Sequence, residues 1–238
     1  MSKDLTGQRV LVIGGSRDLG LAVARAAAGA GAVVIIGARD EQKASDAASS
    51  IQNAEWVRMD VTDEASIEAG LAGAGKIDHI VVLTAAHHNV PVDRLDHDRT
   101  VAAFEAKVIG PLMVAKHAAG ILPPTGSIVL FSGVAAWSPQ KGFSVMGITN
   151  GAVSFAASHL AKDLAPIRVN AISPGIIDSG SWDAMGANKK KFLEDAAGGN
   201  LAGRWGASSD IADAVLWLLG ATFVSGETIH VEGGARNA

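Results

Sequence analysis

The segment VIGGSRDLGLAVARA, residues 12–26, sets Gly14, Gly15 and Gly20 between an apolar run and a stretch of helical character. Glycines there permit positive φ and close backbone approach, and a helix that starts beside them offers unpaired N–H groups to an anion. The chemistry is phosphate binding by backbone. Arg17 lies in this turn and Arg39 follows the next apolar run, where an acidic residue would otherwise take ribose hydroxyls. Guanidinium forks match a phosphate ester instead. The plainer alternative is two exposed arginines, one paired with Asp40 or Asp18.

The stretch HHNVPVDRLDHD gathers His87, His88, Asp93, Asp96 and His97, which invites a metal reading. Adjacent histidines need a special turn to share one ion, so no metal site is assigned. His87 or His88 touching a substrate is the better use, and either can act as an acid near neutral pH. Trp137 and Trp182 offer a flat apolar wall, with core packing as the alternative. Lys189–Lys191 reads as a solvated face.

These groups need a frame. The chain has 238 residues, 28 of them Gly, and is 48% apolar, which suits a compact α/β protein. Strand-length runs alternate with helical stretches: RVLVIGG, VVIIGA, AEWVRMDV, IDHIVVLTAA, GSIVLFSG, IRVNAISPG and GETIHVEGG are the expected strands. RTVAAFEAKVIGPLMVAKHAAGIL reads as one long helix. Continuously apolar strands fit a parallel sheet covered on both faces, hence a doubly wound α/β single domain over residues 1–238. Residues 177–207 lack a clean period and are expected to form a mobile lid over the substrate. Net charge is −4 with dispersed basic residues, which argues against nucleic acid. No apolar run suits a membrane span, the start lacks a signal-peptide profile, and a cytoplasmic location follows as the expectation. With no cysteine, disulfides and thiolate metal sites are excluded.

Nearly the whole chain resembles the short-chain dehydrogenase/reductase family. The first turn is similar to its TGxxxGxG motif, with Gly14 first, Gly20 last and Asp18 where the middle glycine stands. The resemblance implies a Rossmann-like sheet and a nicotinamide dinucleotide, contacted at Gly14, Ser16, Arg17, Leu19 and Gly20. In RMDVT it places Asp60 and Val61 at the adenine, and in VVLTAA it makes Thr84 and Ala85 backbone contacts. In IRVNAISPGIIDS it brings Pro174, Gly175, Ile177 and Ser179 to the nicotinamide and pyrophosphate. Arg17 and Arg39 then favour NADP(H) over NAD(H). A small-molecule substrate and a homodimer or homotetramer are further expectations of the resemblance.

The family's proton relay is Asn, Ser, Tyr and Lys, and the matching positions here are Lys107, Gly133, Met146 and Asn150. The chain has no tyrosine. A placed acid contributes roughly 10²–10⁴ in rate, and a thioether has no proton to give. Asn150 can still hydrogen-bond a ribose hydroxyl. Three readings follow. Hydride goes to an imine, iminium or other acceptor that needs no tyrosine acid; or Lys107 replaces the acid, with Ser132 orienting a substrate oxygen; or the protein binds cofactor without redox turnover, as a sensor, scaffold or cofactor-assisted cyclase. The alternative for Lys107 is a lysine snorkelling off its helix.

Overall fold

A computed structural model describes residues 4–238. Seven parallel strands form one sheet in the order β3-β2-β1-β4-β5-β6-β9, where β1 is Arg9–Ile13, β2 Val33–Ala38, β3 Glu55–Arg58, β4 His79–Val82, β5 Ser127–Phe131, β6 Arg168–Pro174 and β9 Thr228–Val231. The doubly wound α/β expectation holds.

Side-chain alternation explains why both faces are covered. Val10 and Val12 of β1 join one core with helices α1 (Asp18–Gly29), α2 (Glu41–Ser49) and α8 (Ser208–Gly220). Leu11 and Ile13 join the opposite core with α3 (Glu64–Ala74), α5 (Gly110–Ala118) and α6 (Ser144–Asp163). The central strands are therefore buried on both faces and apolar along most of their length, whereas the edge strand β3 carries Glu55 and Arg58. The strand order reverses between β1 and β4, and their carboxyl ends open a crevice there.

The expected long helix runs without a gap through α4 (His97–Phe104) and α5, with a π-helical segment, Glu105–Ile109, between them. A Cβ on Gly110 would lie 2.8 Å from Val61 Cβ, so this backbone packs against the chain that follows β3 closer than any side chain allows. The aperiodic 177–207 stretch also holds regular structure, with a short sheet of β7 (Ile177–Asp178) and β8 (Gly206–Ala207) bracketing α7 (Asn188–Gly198). Among the described residues, no helix is long and apolar enough to cross a membrane.

The amino end of the sheet is pinned by polar groups. Arg168 donates to the carbonyls of Leu218, Leu219 and Ala221 at 2.8–3.0 Å, satisfying the last turn of α8. His79 lies between Ser127 Oγ at 2.8 Å and Gln8 Oε1 at 2.7 Å. Neutral imidazole fits both, donating to Gln8 and accepting from Ser127. Burial, then the Arg168 charge, lowers the His79 pKa from 6.5 to about 4. The unfolded chain therefore takes up this proton first as pH falls. Stability should drop between pH 6.5 and about 4, by up to about 3 kcal/mol from this group. Urea denaturation across that window should show a steeper pH dependence for the native protein than for His79→Gln; parallel profiles would contradict the assignment.

Candidate functional site

At the crevice, β1 passes into α1 through Gly14 (φ +86°) and Asp18 (φ +49°). A Cβ on Gly14 would lie 3.0 Å from the Leu83 carbonyl, and one on Gly20 would run into the Gly14 carbonyl. Both glycines are thus required for the turn to close. Asp40, Asp63 and Asp96 cap α2, α3 and α4 with their side chains, whereas the N-cap residue of α1, Arg17, makes no side-chain cap. The first N–H groups of α1 remain available to an anion. This cradle fits a pyrophosphate, with Ser16 and Leu19 in the same turn.

Arg17 is 81% exposed and stands 3.7 Å from Asp18. Arg39 is exposed and, among the described residues, makes no ion pair. Asp40 is occupied by Lys43 at 3.0 Å, which removes one alternative for Arg39. Burial raises the Asp60 pKa, but hydrogen bonds from the Thr62 N–H and hydroxyl, with the charges of Arg39 and Arg58, hold it below its ordinary value. Arg39 and Asp60 therefore share one rim, beside Val61. Thr84 ends β4 by donating to the Ala106 carbonyl at 2.8 Å, which ties the crevice to the π-helical segment; Ala85 is exposed.

The second half of the crevice is built on that segment. Lys107 Nζ donates to the Ser132 carbonyl at 3.3 Å, and burial of its ammonium lowers the pKa to about 8. Ser132 Oγ donates to the Asn150 carbonyl at 2.8 Å and accepts from Ser154 Oγ at 2.9 Å. That hydroxyl is spent inside the protein, on α6. Asn150 lies four residues after Met146 on α6, which puts the two on one helix face. Lys107, Ser132, Gly133 and Asn150 are contiguous. A Cβ on Gly133 would sit 2.7 Å from Asn150 Nδ2, so the asparagine amide uses the space that a side chain at 133 would need.

The histidines separate. His88 is buried and accepts from the Asp96 N–H at 3.0 Å, a structural bond at the start of α4. His97 pairs with Asp98 in solvent. His87 stays at the crevice mouth, where burial, then the charges of Lys107 and Arg17, lower its pKa. Among the described residues, no group of three or more His, Asp or Glu side chains is arranged to hold a metal.

Pro174, Gly175, Ile177 and Ser179 form the opposite wall, running from β6 into β7. Trp182 folds back on it, donating to the Ile177 carbonyl at 2.9 Å and packing on Phe192 at 4.6 Å. Trp137 is 41% exposed and meets the His230 ring edge-on at 5.0 Å. Lys189 departs from the solvated face expected of it: it bridges Asp178 at 2.7 Å and Asp183 at 2.6 Å, clasping α7 to β7. Lys190 and Lys191 do face solvent, in pairs with Glu194 and Asp195. Sequence reasoning missed the part of Asp18, whose carboxylate lies 2.7 Å from where a Gly180 Cβ would stand. A carboxylate replacing a motif glycine was the signal, and the matching Gly180 in the wall was not legible.

Residues 14–236 match the family model described as Enoyl-(Acyl carrier protein) reductase. A short-chain dehydrogenase/reductase of Acremonium sp is 32% identical, over 95% of this chain and 94% of its own. The structure of MalC Reductase/Diels-Alderase from Malbranchea aurantiaca superposes with a TM-score of 0.92 at 27% identity, covering 99% of both chains. A small-chain dehydrogenase in complex with NADPH superposes at 0.84 with 27% identity, covering 97% of this chain and 99% of the other. The chain belongs to the short-chain dehydrogenase/reductase family of oxidoreductases.

The Gly133–Asn150 contact yields a direct expectation. Gly133→Ala should cost less than about 1 kcal/mol, because the far end of a side chain can yield, yet it should turn the Asn150 amide out of its place. Side-chain amide resonances of Asn150 in NMR should shift while melting changes little; an unmoved Asn150 signal would refute the coupling.

Proposed function

We propose that this protein is an NADP(H)-binding oxidoreductase whose proton donor is Lys107, acting on neutral imines in preference to ketones. The observation that carries the reading is the Lys107 ammonium, held 3.3 Å from the Ser132 carbonyl in a π-helical segment, with a pKa lowered by burial to about 8. Such a group is mostly protonated at neutral pH and gives its proton more readily than an ordinary lysine. At nearby His87, burial and then the charges of Lys107 and Arg17 disfavour the protonated imidazolium. An imine nitrogen is far more basic than a ketone oxygen and takes a proton from such a donor more readily.

A bound reduced nicotinamide supplies the hydride, and the remaining tasks fall to the chain. Gly14, Ser16, Leu19 and Gly20 would hold the pyrophosphate by backbone, Arg17 and Arg39 the 2′-phosphate, Asp60 and Val61 the adenine, and Thr84 and Ala85 the adjoining ribose. Asn150 would hold the nicotinamide ribose, with Pro174, Gly175, Ile177 and Ser179 against the ring and its amide. Lys107 passes its Nζ proton to the imine nitrogen and is left neutral; Ser132 fixes the backbone around it. Met146 replaces an acid with apolar surface, and Trp137, Trp182 and the 177–207 lid exclude water. On this reading Lys107, Gly133, Met146 and Asn150 stand where the family keeps its Asn, Ser, Tyr and Lys. The exposed Ile148 and Phe155 on α6 support a homo-oligomer. The likeness to a reductase that is also titled a Diels-Alderase favours one second reading, a cofactor-assisted cyclase without redox turnover.

Fluorescence titration should show NADPH binding more tightly than NADH, and Arg39→Ser should weaken NADPH about tenfold or more while changing NADH little. Equal affinities would remove the 2′-phosphate argument. Lys107→Met should lower turnover of a cyclic imine at least tenfold with cofactor affinity nearly intact. Because the ammonium is the acid, native turnover should fall as pH rises through about 8, and the variant should lose that limb. An unchanged rate and profile would eliminate Lys107 as donor.

A further inference from the structure

Pro111 follows Gly110 at the start of α5 and has no N–H to give. One carbonyl bears the consequence. In the π-helical segment the Gly110 N–H reaches back to the Glu105 carbonyl, so it does not serve Ala106, its partner in an α-helical turn. The π-helical partner of Ala106 would be residue 111, a proline. Both patterns thus leave the Ala106 carbonyl without a main-chain donor, on a residue only 8% exposed. Such a group costs about 1–3 kcal/mol if nothing else bonds it.

The Thr84 hydroxyl bonds it, donating to the Ala106 carbonyl at 2.8 Å from the end of β4. The next residue is Lys107, whose Nζ donates at 3.3 Å to the Ser132 carbonyl at the end of β5. β4 and β5 are neighbours in the sheet. Two adjacent strands therefore hold two consecutive residues, one by its main chain and the other by its ammonium. A lysine stem is long and flexible, so the backbone at its base decides where the ammonium reaches.

We propose that Thr84 is a positioning residue for Lys107: its hydroxyl stands in for the N–H that Pro111 lacks and fixes the backbone from which the Lys107 side chain reaches the crevice. Its catalytic consequence rests on the reading of Lys107 as proton donor. Without the hydroxyl, the Ala106 carbonyl must turn towards water or compete with Glu105 for the Gly110 N–H. Either movement draws Lys107 from the Ser132 carbonyl and admits water to its ammonium. Less desolvation returns the group towards an ordinary lysine.

The test is NMR titration of isotope-labelled lysine in the cofactor-free protein, with the Lys107 signal identified by its loss in Lys107→Met. The native midpoint is expected at about 8. Thr84→Val, which keeps the shape and removes the hydroxyl, should raise it by about one pH unit or more, and Thr84→Ser should restore it. Pro111→Ala returns an N–H to the segment, so in that background Thr84→Val should move the midpoint less than about half as far. If Thr84→Val alone fails to fold, the double variant should recover folding for the same reason. At saturating NADPH, single-turnover imine reduction should fall about fivefold or more in Thr84→Val and recover in Thr84→Ser. An unmoved midpoint in Thr84→Val, no recovery in Thr84→Ser, an equal change in both backgrounds, or a double variant that also fails to fold would overturn the positioning role whatever the turnover does. A moved midpoint with unchanged turnover would instead remove Lys107 as donor and leave its positioning by Thr84 intact.

Discussion

The approach of Gly20 to the Gly14 carbonyl is the contact on which the rest of the site depends. With no Cβ at either position, α1 starts directly over the end of β1, and its first N–H groups point into the crevice between β1 and β4. Any larger residue at 20 would drive helix and strand apart. The parallel sheet then brings the ends of β4, β5 and β6 to the same edge, so that the Thr84, Ser132 and Pro174 regions face one space.

The second constraint is the π-helical segment. Gly110 lets the backbone press against Val61, and the extra residue in the turn sets Lys107 beside the Ser132 carbonyl. Desolvation there weakens the hold of the ammonium on its proton. Across the crevice, Gly133 and Asn150 are sterically linked: one gives up a side chain and the other fills the space.

Much of the fold was legible because a two-sided parallel sheet forces continuously apolar strands, and VLVI and IVVL carry that mark without ambiguity. The glycine turn was legible for the same kind of reason, since a Cβ at Gly14 or Gly20 would meet a backbone carbonyl. The π-helical segment between α4 and α5 was not, because periodicity is nearly unchanged by one extra residue and the contact of Gly110 with Val61 is distant in sequence. Ser132 illustrates the opposite limit: its place in the motif suggested a hydroxyl turned to substrate, whereas the fold turns it towards α6. His88 was likewise readable as a titratable group and not as the acceptor for the Asp96 N–H. Lys189 lay in a basic run whose members have different fates, because only one of them reaches two aspartates.

On the proposed reading, the glycine turn would hold a nicotinamide dinucleotide beside Lys107, whose proton an imine nitrogen takes more readily than a ketone oxygen does. The most direct test is single-turnover oxidation of NADPH by the protein, followed by absorbance, with cyclic imines and ketones of matched size. Imines should be consumed at least a hundredfold faster than ketones at neutral pH. Ketone reduction as fast as imine reduction, or cofactor binding with no oxidation by either class, would contradict it.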